Sequence, residues 1–501
     1  MLILRKFNYK HLLYISAIFL LIPTISIFGS ISAKPFCNFY TDYLFCSYLP
    51  QDINKYYNFF YLLIFFFLSS FCYFKIINFK YFFAKKDIIF LALIFFLILP
   101  FGSTDIFYYR GLAKAEIEQN INPYKGGFYK QIEILDIIQG PLGETMYPPV
   151  WLQVNKQIYK IAPKNEIISI YIYKLFALIS FLVSYFLIKK FSDQKNAIIF
   201  ATNPLILFEL LTNAHLDIYL ILLLISSIIL FLKNKIYISI LLLFAASMIK
   251  FNAILSLPFF AIYAISKGNS IKDAISRIIK LVVTFLLGTG IITLLYKPYW
   301  FGLKTLEGIS KQADWPYNTI FERIVFTKLN PMLYLFNGKY NSQSFRDIWI
   351  FLSIIGIGIV GLHIFKNLEI RTIRSIKNLD LNKIKITKNS VLYYSGLILF
   401  VFPTIMMRSF HPWYLTWSAM FFIFSKFKYK KRVLALQTLI LAIYYPTIYL
   451  VGHFVNLTSA REYNYMFIIE VLLVIVILIL LYKSRINIMQ TKNPTTSVLL
   501  T

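Results

Sequence analysis

Cysteine is nearly absent from this chain, with three in 501 residues, and that scarcity excludes a disulfide-built scaffold. Charge is thin as well: Asp, Glu, Lys and Arg make up 15% of the sequence, where a soluble domain carries about 25%. Acidic residues are the scarcer kind, 22 against 51 Lys and Arg, for a net charge of +29. What fills the space is apolar. The chain is 58% hydrophobic, with 50 Phe, 37 Tyr and a mean hydropathy of +0.67. That excludes disorder and a fibrous protein, and it is too apolar for the roughly three soluble domains the length suggests. The composition predicts an all-α, polytopic transmembrane helical bundle.

The positive charge first suggests nucleic acid, but its placement argues otherwise. Basic residues cluster between apolar runs, at Lys75, Lys80, Lys85 and Lys86, at Lys189, Lys190 and Lys195, at Lys233 and Lys235, and again from Lys426 to Arg432. This is the pattern of loops retained on the cytoplasmic side, so no nucleic-acid partner is expected. Apolar segments of spanning character number about 12–14. They include residues 12–33, 87–101, 166–188, 196–211, 216–232, 277–297, 389–407, 412–425 and 433–452. Residues 236–265 have basic flanks on both sides and therefore read as a hairpin of two short helices broken at Lys250, Phe251 and Asn252. The first segment reads as a retained anchor. With both termini inside, the external segments are 34–55, 102–165, 298–346, the tip at 408–411, and 453–463. The loop 102–165 is too long for a connector, and its mixed composition suggests short amphipathic helices at the interface. Cys37 and Cys46 share the first external loop, where a disulfide is an open alternative. Asn456-Leu457-Thr458 is an external sequon that matters only in a glycosylating compartment.

Polar residues inside apolar segments are costly, about 2.5–3.5 kcal/mol each on the insertion scale, and so mark function. Here they gather at one face. GSTDIFYYRG, residues 102–111, follows a span and puts the Asp105 carboxylate at the external rim. It reads either as a general base or as a helix N-cap, since Ser103, Thr104 and Asp105 all cap well. Pro148 and Pro149 set a rigid extended turn beside Tyr147 and Trp151. In residues 203–219, Glu209, Asn213 and Asp217 have i, i+4, i+8 spacing, one stripe if the helix is continuous. His215 and Asp217 can cooperate only if the chain turns near Asn213. The stripe reads alternatively as a hydrogen-bond network inside the bundle. Lys250 needs an anionic partner, either Asp217 or a phosphate. Arg408 and His411, beside Trp413, Tyr414 and Trp417, read as an aromatic belt or as a site for a lipid-linked phosphate.

DIFYYRG, NPY and YPPVW in the first large external loop, NP followed by NAHLD, the Lys-Phe-Asn hairpin and the late HPWYLTW together resemble the GT-C superfamily of membrane glycosyltransferases. The pattern is most similar to bacterial polyprenyl-phosphate-mannose-dependent mannosyltransferases, and more faintly to the first mannosyltransferase of glycolipid-anchor assembly. It covers about residues 87–300 and 400–420. The resemblance implies transfer of one hexose, mannose by preference, from a polyprenyl-phosphate donor to a lipid-linked or glycan acceptor. Transfer would invert the anomeric carbon and take place at the external face of a multi-pass protein in lipid, the bacterial inner membrane. Asp105 matches the catalytic carboxylate. Lys250, Arg408 and His411 match donor-phosphate contacts, and Tyr109, Arg110, Tyr147, Glu209, Asn213, His215, Asp217 and Trp413 are the expected substrate-binding residues. The domains expected are residues 1–86 with N-terminal membrane segments, 87–300 with the catalytic module, and 301–501 with a C-terminal membrane module carrying the HPWY motif.

Two features depart from that pattern. Asp105 is followed by Ile106 and Phe107 rather than a second acid, so no metal and no cofactor is expected. Two apolar segments also precede the catalytic loop where many relatives have one. An exported-polysaccharide polymerase or ligase is the alternative within enzymes. A transporter is the alternative outside them, but it predicts inverted repeats, and the sequence carries no convincing repeat.

Overall fold

The computed structural model describes residues 9–29, 51–78, 83–100, 103, 105–125, 144–162, 165–268, 270–308, 386–403, 411–427 and 430–454. Among these the regular structure is helical, with no strand. Cys37, Cys46, Arg408, the sequon and the expected segments within 309–385 and 455–501 lie outside the described residues.

The helices are α1 (Tyr9–Gly29), α2 (Gln51–Asn78), α3 (Lys85–Leu97), α4 (Asp105–Glu118), α5 (Pro149–Ile161), α6 (Glu166–Phe191) and α7 (Gln194–Ala201). After a π-helical turn, Leu207–Thr212, come α8 (Asp217–Leu232), α9 (Ile236–Ser247), a 3-10 turn Phe251–Ser256, α10 (Leu257–Ser266) and α11 (Ile271–Tyr296). The last three are α12 (Lys388–Val401), α13 (Leu415–Phe424) and α14 (Lys430–Phe454). Two described helices, Ile167–Phe191 and Lys272–Tyr299, are long and apolar enough to cross a membrane. Shorter apolar helices accompany them at Leu62–Asn78, Asp217–Leu232, Ile236–Ser247 and Phe251–Ser266.

Local chemistry sets the boundaries. Asn165 caps α6 by accepting from Ile168 N–H at 3.1 Å, Asp193 caps α7 through Asn196 N–H at 2.6 Å, and Thr387 caps α12 through Ser390 N–H at 3.0 Å. Each side-chain oxygen satisfies a donor that the first turn leaves without an intrahelical partner. Lys189 and Lys190 occupy the last turn of α6, where cations favour the negative end of the helix dipole. Asn234 turns the chain between α8 and α9 in the left-handed region, φ 63°, a conformation Asn tolerates better than most residues. The expected segment 196–211 is not one helix: Asn203 and Pro204 break it. Proline cannot donate a backbone hydrogen bond, and the Asn203 side chain instead accepts from Leu205 N–H at 2.9 Å.

Neighbouring helices pack in pairs, α2 on α14, α8 on α9, α12 on α13, and α6 on α8. Ser227 and Ser239 trade hydrogen bonds across the α8–α9 contact, each hydroxyl donating to the other residue's carbonyl at 2.9 and 2.8 Å. Gly288 lets α11 lie against Phe244 of α9, because a Cβ there would meet the ring at 2.7 Å. The outer side of α11 carries Leu286 and Leu294, 67% and 69% exposed. The expected hairpin at 236–265 is present as α9, the 3-10 turn and α10, with Lys250 at the break. The loop 102–165 supplies α4 and α5. Pro149 opens α5 at its first position, and Val150 and Trp151 N–H donate to Met248 O at the end of α9, at 3.1 and 3.3 Å. These bonds fasten the loop to the hairpin at the end where the polar residues collect.

Candidate active site

Asp105 is the first residue of α4, and its backbone N–H donates to Ser103 Oγ at 3.2 Å. Ser103 serves that N–H, and the Asp105 carboxylate takes other partners. Tyr109, one turn on, donates to its Oδ2 at 3.1 Å, and His215 Nδ1 lies 3.2 Å from the same oxygen.

His215 arrives there because the chain does turn after Asn213. A π-helical turn ends at Thr212, Asn213 N–H donates to Phe208 O at 3.0 Å, and His215 N–H donates to Glu209 O at 3.2 Å. Between them Ala214 sits at φ 51°, a left-handed conformation that costs a residue with a Cβ about 1–2 kcal/mol. Such strain persists where the surroundings over-determine it and is common at functional sites. The other imidazole nitrogen, Nε2, lies 3.4 Å from Glu209 Oε2. His215 is thus buried between two carboxylates, in ion-pair rather than aligned hydrogen-bond geometry. Glu209 is held in turn by Tyr445, whose hydroxyl reaches its two oxygens at 2.9 and 3.1 Å, and by Asn213 Nδ2 at 3.1 Å.

Electrostatics follow the geometry at these loop positions. Burial opposes ionisation of Asp105, but the His215 N–H and charge, with Lys250 and His411 beyond, more than offset it and hold its pKa down to about 2. Burial likewise opposes a charged His215, and Asp105 and Glu209 outweigh it, raising the imidazole to about 9. At neutral pH the pair is carboxylate and imidazolium. His411 goes the other way: burial and the neighbouring positive charges of Lys250 and His215 outweigh Asp105, lowering it to about 4.

A second ion pair stands beside the first. Lys250 Nζ lies 3.1 and 3.2 Å from the Asp217 carboxylate, over the rings of Tyr414 at 4.6 Å and Trp417 at 4.9 Å. Trp417 Nε1–H donates to Asp217 Oδ1. Cation–ring contacts of this kind are worth about 0.5–2 kcal/mol according to desolvation. Trp413 joins the groups, stacking with His215 at 4.0 Å and with His411 at 4.3 Å, while His411 Nδ1 pairs with the Tyr444 hydroxyl at 3.2 Å.

Residues 88–266 match the family model described as the alpha-(1->6)-mannopyranosyltransferase N-terminal domain. That match supports a glycosyltransferase. No curated protein matches the chain. The matched stretch contains Asp105, Glu209, His215, Asp217 and Lys250, while His411, Trp413 and Trp417 complete the cluster from beyond it.

Of the residues singled out in the sequence, Asp105, Tyr109, Glu209, Asn213, His215, Asp217, Lys250, His411 and Trp413 come together. Tyr147 joins through its ring, 5.5 Å from that of Tyr109. Arg110 does not: five residues along α4 from Asp105 is about 140° around the helix, and its Nε donates to Ser169 Oγ at 3.0 Å. Trp413 is 7% exposed and engaged by two imidazoles, a poor platform for a sugar. Glu209, Asn213 and Asp217 do not form a single stripe, because the turn sends Asp217 to Lys250 and Glu209 to His215. Sequence reasoning missed Tyr444 and Tyr445; only the packing of α14 brings this dipeptide to the site.

Proposed function

We propose that this enzyme transfers one mannosyl residue from a polyprenyl-phosphate donor to an acceptor hydroxyl, with inversion, at the external face of a multi-pass membrane protein. The observation that carries the reading is the Asp105 carboxylate. It is the one carboxylate of the His215 cluster with solvent access, its side chain 27% exposed against none for Glu209. Both of its described side-chain contacts fall on Oδ2, which leaves Oδ1 to receive a hydroxyl.

A carboxylate with a pKa near 2 is a weak base, and the reaction needs no stronger one. As the acceptor oxygen bonds to the anomeric carbon and the phosphate oxygen departs from the opposite side, the hydroxyl proton becomes strongly acidic. Asp105 takes it late, when even a depressed carboxylate accepts it. The His215 imidazolium keeps Asp105 ionised and oriented beforehand, which is the preorganisation that lowers the barrier. On the donor side, Lys250, Arg408 and His411 meet the phosphate. Lys250 shares its charge between Asp217 and the phosphate. His411, neutral in the free site, donates a hydrogen bond or takes a proton as the anion arrives. The transfer proceeds without a metal, with Glu209 engaged by His215 and Tyr445 and Asp217 by Lys250 and Trp417. The apolar helices, and the exposed outer side of α11, suit a donor presented from lipid, and the alpha-(1->6) linkage in the matched family's description is the linkage to test first.

The test is reconstitution in proteoliposomes with labelled polyprenyl-phosphate mannose and a panel of alkyl mannoside and glycolipid acceptors. Wild type transfers mannose and Asp105→Asn does not. Equal transfer by both removes Asp105 as base, and transfer only from an oligosaccharide lipid makes the enzyme a polymerase.

A further inference from the structure

Lys174 lies in α6, about 12 Å from the helix start, and is fully buried. The proposed chemistry makes no use of it. A buried amino group is costly to maintain without partners, so its partners show what it is for. Nζ donates to Thr212 O at 2.6 Å, Ile98 O at 2.7 Å and Leu211 O at 2.7 Å, with Phe95 O at the margin at 3.5 Å. Three short contacts hold Nζ among main-chain carbonyls.

These carbonyls belong to two helix ends. Phe95 is in the last turn of α3 and Ile98 is its C-cap, while Leu211 and Thr212 close the π-helical turn. The last carbonyls of a helix have no partner within it and carry the negative end of its dipole. Two such ends facing one another repel, and a hydrogen-bond donor shared between them ties them into a clamp. Thr212 Oγ1 adds a second tie by donating to Phe95 O at 3.2 Å. Each clamped end leads directly into the cluster: seven residues after Ile98 the chain reaches Asp105, and three after Thr212 it reaches His215.

We propose that Lys174 is a positioning residue, clamping the end of α3 to the π-helical turn so that Asp105 and His215 are delivered at ion-pair distance. The proposal rests on Asp105 and His215 being the reacting pair.

Lys174→Met keeps the length of the side chain and removes every donor, Lys174→Gln keeps a shorter donor, and Ser227→Ala is a control that removes a buried hydroxyl far from the cluster. Each full-length protein is placed in lipid nanodiscs, its folded fraction measured, and two readouts taken. The first is transfer from polyprenyl-phosphate mannose, expressed per folded molecule. The second is the titration of His215 by histidine-selective NMR, which needs no turnover; this ring faces Asp105 and Glu209, with His411 and Lys250 as the nearby basic groups. The expected result for Lys174→Met is a kcat at least tenfold lower, a donor KM within twofold, and a His215 midpoint moved down by at least half a pH unit. Lys174→Gln should fall between it and wild type, and Ser227→Ala should match wild type in both readouts. An unchanged kcat and an unchanged His215 titration overturn the proposal. So does loss of folded protein in both Lys174 variants, which makes the residue one needed for folding alone. An active Asp105→Asn sinks the mechanism instead, and the His215 titration still decides whether Lys174 sets the pair.

Discussion

At one end of the helix layer, lysines outnumber the acids and find neutral partners. Lys388 donates to Leu232 O at 2.6 Å, Lys233 sits 3.9 Å over the Phe191 ring, and Lys430 reaches Ile423 O at 2.9 Å, Ser425 O at 3.0 Å and Asn196 Oδ1 at 3.1 Å. The acid of the Lys10–Asp87 pair is an exception. At the other end four acids have an opposite charge: Asp105 and Glu209 share His215, Asp217 holds Lys250, and Glu116 holds Lys156. The difference follows from access to water. A lysine at the edge of an apolar layer can extend its head outward and stay unpaired, whereas a buried charge with no opposite costs several kcal/mol. One end therefore gathers lysines beside neutral partners, and the other gathers paired charges.

Variants at the two ends should tell these arrangements apart, and the largest effect is expected at the base. Asp105→Asn should lower kcat by about 10²–10⁴-fold, the usual contribution of a positioned base, read in the reconstituted transfer assay. A loss under tenfold would make the polar end another structural network. Next, Lys250→Met should lower donor kcat/KM by about 10–100-fold, the loss of one charge-assisted phosphate contact worth about 1.5–3 kcal/mol, with Asp217 still held by Trp417. A change confined to thermal stability would place Lys250 with the structural lysines.

A third variant reads the ion pair through pH. His215 is raised to about 9, so its stabilisation is complete below the ordinary histidine pKa and is lost as pH rises through 9. Asp105 is depressed to about 2, so its share is present above the ordinary carboxylate pKa and is lost only as pH falls toward 2. Activity that depends on the pair has an alkaline limb near 9. Glu209→Gln removes one of the two carboxylates that raise His215 and should move that limb down by about one unit or more; a limb that stays in place assigns it to another group. The smallest effect on transfer is expected at the basic end. Lys10→Ala leaves the largely buried Asp87 carboxylate without its counter-charge, should cost about 3–5 kcal/mol of stability, and should leave transfer per folded molecule unchanged.

Much of this was legible in the chain itself, because polar residues are conspicuous in so apolar a sequence. Asp105, His215, Asp217, Lys250 and His411 could be singled out as polar residues gathered at one face, and the break at Lys250 followed from basic flanks on both sides. Asp105 read both as a cap and as a base, since an acid at a helix start suits either role. Partners were hidden wherever they are distant in sequence: Trp417 meets Asp217 across 200 residues and Tyr445 meets Glu209 across 236. An aromatic residue in an apolar helix looks the same whether it faces lipid, core or a carboxylate.

The sequence by itself determined the helical class, the paired helices with basic turns, and which residues are too polar to be filler, because hydropathy and charge act locally along the chain. Only the tertiary structure decided that Glu209 and Asp217 part company, that His215 stands between two carboxylates, and that Lys174 bridges two helix ends. Those arrangements depend on a π-helical turn, one left-handed alanine and the packing of α14 against α2. Their energies come from contacts among segments far apart in the chain, which no local pattern of residues encodes.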